Sequence, residues 1–315
     1  MSEEIGQSKL ERLSNLVHHL RAPNPGPMTL TGTNSYIVGS GGNGSEVTVI
    51  DPGPDTLSHL EAIVAAAESL DAKITTILVT HGHPDHFPGA AKLKEMTGAT
   101  VGAYYTSTFP HDLDLRDGMQ LRTLDTTIKA IFTPGHAFDH LCYYLEEEDA
   151  LFTGDLILGQ GTVIVAPPKG DMKQYLHSLH KLEQDWSLTE VIYGGHGPAI
   201  TSPLAKIREY IKHRQGRQDQ LVAAMQAGAT TVPEIVERIY QDVDKRMWPA
   251  AARQVMAYMI MLEEQGQLQV IEERPATEPE AKLLNPEGVV DPVAAAELGI
   301  EPGKEKVKRY RLISR

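Results

Sequence analysis

Apolar residues along this chain fall into blocks of two kinds. Short blocks rich in β-branched residues end at Val79, Phe132, Phe152 and Tyr193, and have the length and composition of buried strands. Alternating stretches at 13–20, 34–38, 47–50 and 118–133 predict further strands. The first reads as a sheet edge, and the second and third as a hairpin around the glycine-rich 39–44. Helical spacing runs through 57–70, 89–96, 175–182 and 250–264, with Gly98 stopping the second stripe. Strands interleaved with amphipathic helices predict an α/β fold, a sheet covered by helices, over residues 1–215. From 216 to 315 the pattern turns helical. Thr231-Val232-Pro233-Glu234 is a capping-box start, and 266–271 with 308–313 read as a terminal hairpin. Helix, helix, helix, hairpin is a winged-helix outline. The Pro-, Glu- and Ala-rich stretch 275–304 reads as an insertion in its wing, partly ordered at best.

Four strand blocks share one ending. Residues 74–79 lead into Thr80-His81-Gly82-His83-Pro84-Asp85-His86. Phe132 leads to His136 through Thr133-Pro134-Gly135, Phe152 to Asp155 through Thr153-Gly154, and Tyr193 to His196 through Gly194-Gly195. Each is a short strand, a glycine turn and a metal-ligand type of residue. Strands of one sheet ending at a common edge would bring these groups to one spot. His81 and His83 suit one ion. Asp85 and His86 begin the next turn and suggest a second. A polar loop that is merely rich in histidine would account for the first motif, but not for four in series.

Composition narrows the picture. At roughly 150 residues per domain, the 315-residue chain predicts about two domains. A net charge of −13 argues against general affinity for nucleic acid or membrane, while leaving room for a local basic groove. The single cysteine, Cys142, cannot form an internal disulfide and reads as a small buried hydrophobe in a reducing compartment. Residues 1–7 lack a basic, apolar leader, and no stretch reaches the roughly 18 apolar residues of a membrane span. A cytoplasmic protein with no membrane partner is expected.

The motif series resembles the metallo-β-lactamase superfamily. Leu10 to Asn15, Asn24 to Leu30, Gly32 to Tyr36, Asp155 to Gly159 and Gly194 to Pro198 resemble more closely the β-lactamase-like protein 2 family, over roughly residues 10–270. The resemblance implies an αβ/βα sandwich with metals at one edge between two sheets, followed by a small winged-helix-like C-terminal domain. It implies that His81, His83 and His136 hold a first ion, that Asp85, His86 and His196 hold a second, and that Asp155 bridges them. Two zinc ions per chain are expected, with manganese or iron as substitutes. Members of the family are zinc-dependent endoribonucleases, and relatives hydrolyse other substrates.

The chemistry expected is hydrolysis by a metal-bridging hydroxide, with Asp85 orienting it and taking a proton. His140 is a candidate donor to the leaving group; the plainer reading is a residue behind the ligands. Asn34 and Ser35 either line the loop under the site or cap a strand. Lys169, Asp171 and Lys173 could rim the cleft or simply be solvated. The site stays net positive with two dications, so an anionic small-molecule substrate or single-stranded RNA is expected. Thioester or lactone hydrolysis, as in glyoxalase II, is the alternative, and a mono-iron persulfide dioxygenase is a second. A non-catalytic structural zinc protein fits least, because structural sites are closed and cysteine-rich. Asp155 disfavours antibiotic hydrolysis beyond a side activity, and His83 replaces the glutamate of flavo-diiron proteins. The best basic run for RNA is His213-Arg214-Gln215-Gly216-Arg217. Glu263 and Glu264 in the third C-terminal helix oppose sequence-specific DNA binding, which leaves a packing or homodimerisation role for that domain.

Overall fold

A computed structural model of the chain describes residues 9–284 and 305–313. The leader reading of residues 1–7 therefore lies outside the described residues. Two compact units are present. One comprises the chain up to Val163 with His177–Tyr210; the other comprises Ile164–Leu176 and the chain from Ile211.

The first unit is built on two sheets. One holds β1 (Glu11–Arg12), β2 (Val17–Arg21), β3 (Asn34–Val38), β4 (Ser45–Ile50), β5 (Ala72–Leu78), β6 (Thr100–Tyr104) and β7 (Leu113–Leu115), in that spatial order. The other runs β12 (Val191–Gly194), β11 (Ala150–Gly154), β10 (Leu141–Leu145), β9 (Thr127–Phe132), β8 (Gln120–Arg122). The expected edge strand over 13–20 is split. Leu13 N and Ser14 N both donate to Val17 O, which forms a turn, and the strand resumes at Val17.

Alternation along the strands separates two cores. Tyr36, Val38, Ile50 and Leu78 face Ile128, Leu141, Tyr143 and Phe152 between the sheets. Ile37, Val49, Ile77 and Val101 point the other way, onto Leu60 and Ile63 of α1 (Leu57–Ser69) and Leu93 of α2 (Gly89–Thr97). Gly98 ends α2 at φ 74°, a left-handed cap that suits glycine. α3 (Met172–Asp185) is tied to the second sheet by Ser178 Oγ, which donates to Pro134 O at 2.7 Å. β4, β5, β6 and β7 are mutually parallel. Their C-terminal ends therefore reach one edge.

The second unit takes α4 (Pro203–Gln226) from Ile211, then α5 (Val232–Ile239), α6 (Trp248–Glu264), β13 (Leu268–Pro275), α7 (Glu278–Leu284) and β14 (Lys306–Leu312). The capping box is present: Thr231 Oγ1 accepts from Glu234 N, and Glu234 Oε2 accepts from Thr231 N at 3.1 Å. β13 pairs antiparallel with β14, the expected hairpin. Of the insertion expected over 275–304, Glu278–Leu284 is helical, and 285–304 lies outside the described residues.

The basic run 213–217 does not form a cationic surface. Arg214 is wholly buried, its guanidinium 4.9 Å from the Tyr175 ring centre. Arg217 stacks on Tyr240 at 4.7 Å. Helical periodicity explains this: adjacent basic residues point in different directions, and the apolar stripe of α4 carries Arg214 inward. Among the described residues, no helix is long and apolar enough to cross a membrane.

Candidate metal centre

All seven ligand-type residues predicted from the motifs meet at the edge where these strands end. His81, His83, Asp85 and His86 follow β5, His136 follows β9, Asp155 follows β11 and His196 follows β12. Their donor atoms fall into overlapping groups: His81, His83 and His136; His81, His86 and Asp155; Asp85, His86 and His196.

In the first group, His83 Nδ1 lies 2.9 Å from both His81 Nε2 and His136 Nε2. Thr80 Oγ1 donates to Asp51 Oδ2 at 2.7 Å, so the 3.0 Å contact with His81 Nδ1 is a bond donated by the ring. That leaves the Nε2 lone pair of His81 facing His83. A single proton on His83 Nδ1 cannot serve both neighbours, whereas one cation can. Burial, reinforced by the neighbouring histidines, pushes His81 well below its ordinary pKa. Burial likewise takes His83 down to about 3. Both rings are neutral, the form that binds a metal.

Around the third group, His196 Nε2 lies 3.2 Å from Asp85 Oδ2 and 3.4 Å from Asp155 Oδ1, and His86 Nε2 lies 3.4 Å from each of the same two oxygens. His86 Nε2, His196 Nε2 and Asp155 Oδ1 are buried without a hydrogen bond among the described residues. Three such orphans aimed into one space are costly unless something cationic sits between them. Burial opposes charge on His86, but Asp85, Asp155 and Asp51 together raise its pKa well above normal. Burial opposes charge on His196 too, yet Asp155 and Asp85 lift it to about 9. Burial also disfavours the anions, but His86 and His196 hold Asp155 and Asp85 well below the usual carboxylate range. The residues therefore fit metal ions on two grounds: neutral imidazoles in one group, and a carboxylate-rich field that favours cations in the other.

Several supporting residues escaped the motif reading. Asp51 reads in sequence as the close of a strand. In the structure it adopts φ 51° and accepts from Thr80 N (2.8 Å), Thr80 Oγ1 (2.7 Å) and His86 Nδ1 (2.8 Å). It thereby orients His86 directly and His81 through Thr80. Its sequence signal is faint, an aspartate between an apolar strand and Pro52-Gly53-Pro54. Asn34 Nδ2 donates to Gly194 O at 3.0 Å and Gly197 O at 2.9 Å, which braces the turn that carries His196. Of the two expectations for Asn34, the loop under the site is the one realised. Ser35 Oγ instead pairs with His59 Nε2 at 2.9 Å. His196 Nδ1 donates to Gly32 O at 3.2 Å, and Thr33 Oγ1 to Asp85 Oδ2 at 3.3 Å. In Asp51→Asn one accepting oxygen becomes an NH2 group, so the side chain loses either the bond from Thr80 N or those that Oδ2 accepts from Thr80 Oγ1 and His86 Nδ1. A fall of roughly 10–100-fold in metal affinity is expected, read by competition against a chromogenic chelator; unchanged affinity would show that Asp51 does not set the ligands.

His140 is fully buried, with Nδ1 bonded to Thr133 Oγ1 at 3.0 Å and its ring 5.1 Å from that of His81. Cys142 is buried, and burial raises its thiol to about 12, an inert state. Lys173 lies 3.6 Å from Glu264, and Asp171 accepts from Gln174 N at the start of α3.

Two packed sheets with a histidine–aspartate cluster able to hold metal ions at their shared edge define a metal-dependent hydrolase. The model of the metallo-beta-lactamase superfamily matches residues 28–196, and that of the beta-lactamase associated winged helix domain matches 231–274. The chain belongs to the metallo-beta-lactamase superfamily. It is 36% identical over 250 residues to a lactamase-like protein of Aspergillus niger, covering 74% of this chain and 75% of that one. It is 34% identical to an atrochrysone carboxyl ACP thioesterase of Aspergillus fumigatus, over 74% and 76% of the two chains. A beta-lactamase-like protein 2 homolog of Drosophila melanogaster is 32% identical over 82% of this chain and 91% of its own. The fold is shared with a metallo-beta-lactamase family protein from Thermus thermophilus, at TM-score 0.67 and 23% identity over 83% of this chain and 97% of that one.

Proposed function

We propose that this chain is a binuclear zinc hydrolase that cleaves phosphodiester bonds of single-stranded RNA. The observation that supports the metal count is the group His81, His86 and Asp155, which overlaps the His81–His83–His136 group at His81 and the Asp85–His86–His196 group at His86. His81, His83 and His136 would hold one ion, Asp85, His86 and His196 the other, with Asp155 common to both. Bound there, such ions supply Lewis acidity and lower the pKa of water from 15.7 to about 7.

The chain's own groups do the rest. Asp85 has its side chain 24% exposed against 11% for Asp155, so it is the carboxylate that faces substrate. Its depressed pKa keeps it ionised, able to orient water and accept a proton. Thr33 Oγ1 fixes its Oδ2. The complete burial of His140 favours its role as a brace behind His81 over that of a donor to the leaving group. We assign the catalytic domain to 1–215 and the winged-helix-like domain to 216–315, with Ile164–Leu176 and the start of the chain from Ile211 grouping with the second compact unit.

RNA is preferred on the likeness to the beta-lactamase-like protein 2 homologs. The thioesterase among the relatives keeps thioester hydrolysis as the second reading. Incubating the zinc-loaded chain with end-labelled single-stranded RNA and with an acyl thioester separates them. Cleavage of RNA by the parent and not by Asp85→Ala is the expected result. RNA left as intact as with Asp85→Ala, alongside thioester turnover, would replace the first reading with the second.

A further inference from the structure

We propose that Tyr104, Tyr105, Arg116 and Phe132 form a stacking subsite for a nucleobase beside the metal centre. The proposal deepens the RNA reading and rests on it for the identity of the substrate.

Strand register puts these residues next to the ligands. In the parallel β5–β6 pair Leu78 stands opposite Gly102, and Val79 N continues the ladder to Gly102 O at 3.0 Å. The ladder stops there, since Val79 O accepts from Tyr143 Oη at 2.7 Å and Thr80 O from Leu141 N at 2.8 Å, and β6 carries Tyr104 and Tyr105 on beyond the end of β5. In β6–β7 Tyr104 stands opposite Leu115, and Tyr105 N donates to Leu115 O at 3.1 Å, so Arg116 is the next residue along. His81, Tyr105 and Arg116 thus follow the C-terminal ends of three neighbouring parallel strands at one edge. Phe132 arrives from the other sheet. It pairs with Leu141, immediately after His140, and lies four residues before His136.

The rings form a continuous platform. Tyr104 stacks on Phe132 with centroids 4.2 Å apart and planes within 7°. Tyr105 packs against Tyr104 at 4.7 Å, edge to face, and the Arg116 guanidinium lies 3.8 Å over the Tyr105 ring. Tyr105 remains 40% exposed after these contacts, and Arg116 is exposed. Among the described residues no carboxylate pairs with the guanidinium, so its N–H edge is available to a phosphate while its plane offers a stacking face. Aromatic planes and a planar cation at a site that would bind phosphodiesters match a base carried next to a phosphate. No contiguous stretch of sequence carries this combination, since the four residues come from three separate segments.

Binding separates this subsite from cleavage. The full zinc-loaded chain is titrated into labelled, phosphorothioate-linked pentaadenylate, and into an abasic oligomer of the same length and linkage, with fluorescence anisotropy as the readout. The parent is expected to bind the base-bearing oligomer about tenfold or more tightly than the abasic one. Tyr105→Ala and Arg116→Ala erase most of that preference, and Tyr105→Trp keeps it. Both positions are exposed, so the variants fold. Equal binding of the two oligomers by the parent, or a preference untouched in Tyr105→Ala, overturns the subsite. Base-selective binding lost in Tyr105→Ala without any RNA cleavage supports the subsite and sinks the nuclease reading. RNA cleavage with indifference to the bases does the reverse.

Discussion

Asp155→Asn leaves the chain folded and removes about 10³-fold or more of its hydrolytic kcat/KM. The isosteric amide keeps the shape of a site where Asp155 is 8% exposed, but it removes the charge that faces His86, His136 and His196 at 3.4, 3.7 and 3.4 Å. Asp155 is placed against both His136 and His196, so bound metal per chain should fall together with activity. Elemental analysis alongside kinetics on a phosphodiester and a thioester checks both. A variant that keeps the parent's metal content and activity within tenfold of the parent would remove Asp155 from the metal site.

The second large effect comes from a residue without a side chain. A Cβ on Gly195 would stand 2.4 Å from Asp155 Oδ1, 2.7 Å from His86 Cε1 and 3.1 Å from Gly154 C. None of these can yield cheaply. His86 is held by Asp51, and the Gly195 backbone is pinned by its N–H to Gly154 O at 2.7 Å and by Asn34 N to its carbonyl at 2.8 Å. Gly195→Ala should spread Asp155 and His86 and cost on the order of 10²-fold in kcat/KM, as misplacement by about 1 Å does. Gly216→Ala is the matched control. Nothing lies within 4 Å of its Cβ position in α4, so activity stays at the parent level and stability rises by up to about 1 kcal/mol. If Gly195→Ala performs like Gly216→Ala, the close packing of the ligand turns is not what shapes the site.

Much of this was legible from local pattern. The short apolar blocks at β5, β9, β11 and β12 each led within a few residues to a ligand type, and those residues do meet. The capping box at Thr231 and the stop at Gly98 formed as their residue types require. Where reading by neighbourhood went wrong, direction was the cause. Arg214 sits in the basic run 213–217, yet it points into the interior, because a helix turns about 100° per residue and sequence adjacency says nothing about which face is covered. The first half of the strand expected over 13–20 gave way to a turn closed on Val17 O, a backbone preference that side-chain alternation does not report, and the second half formed as β2.

The sequence by itself determined which residues could bind metal and that strand ends carry them, because ligand type and hydrophobic period are properties of contiguous residues. Only the tertiary structure decided how those groups are held. Asp51 reaches His86 across 35 positions, and Asn34 braces the His196 turn across about 160. Register between strands set both, as it set Tyr105 and Arg116 at the sheet edge that carries His81. Register is fixed by packing between distant segments, and no single segment contains it.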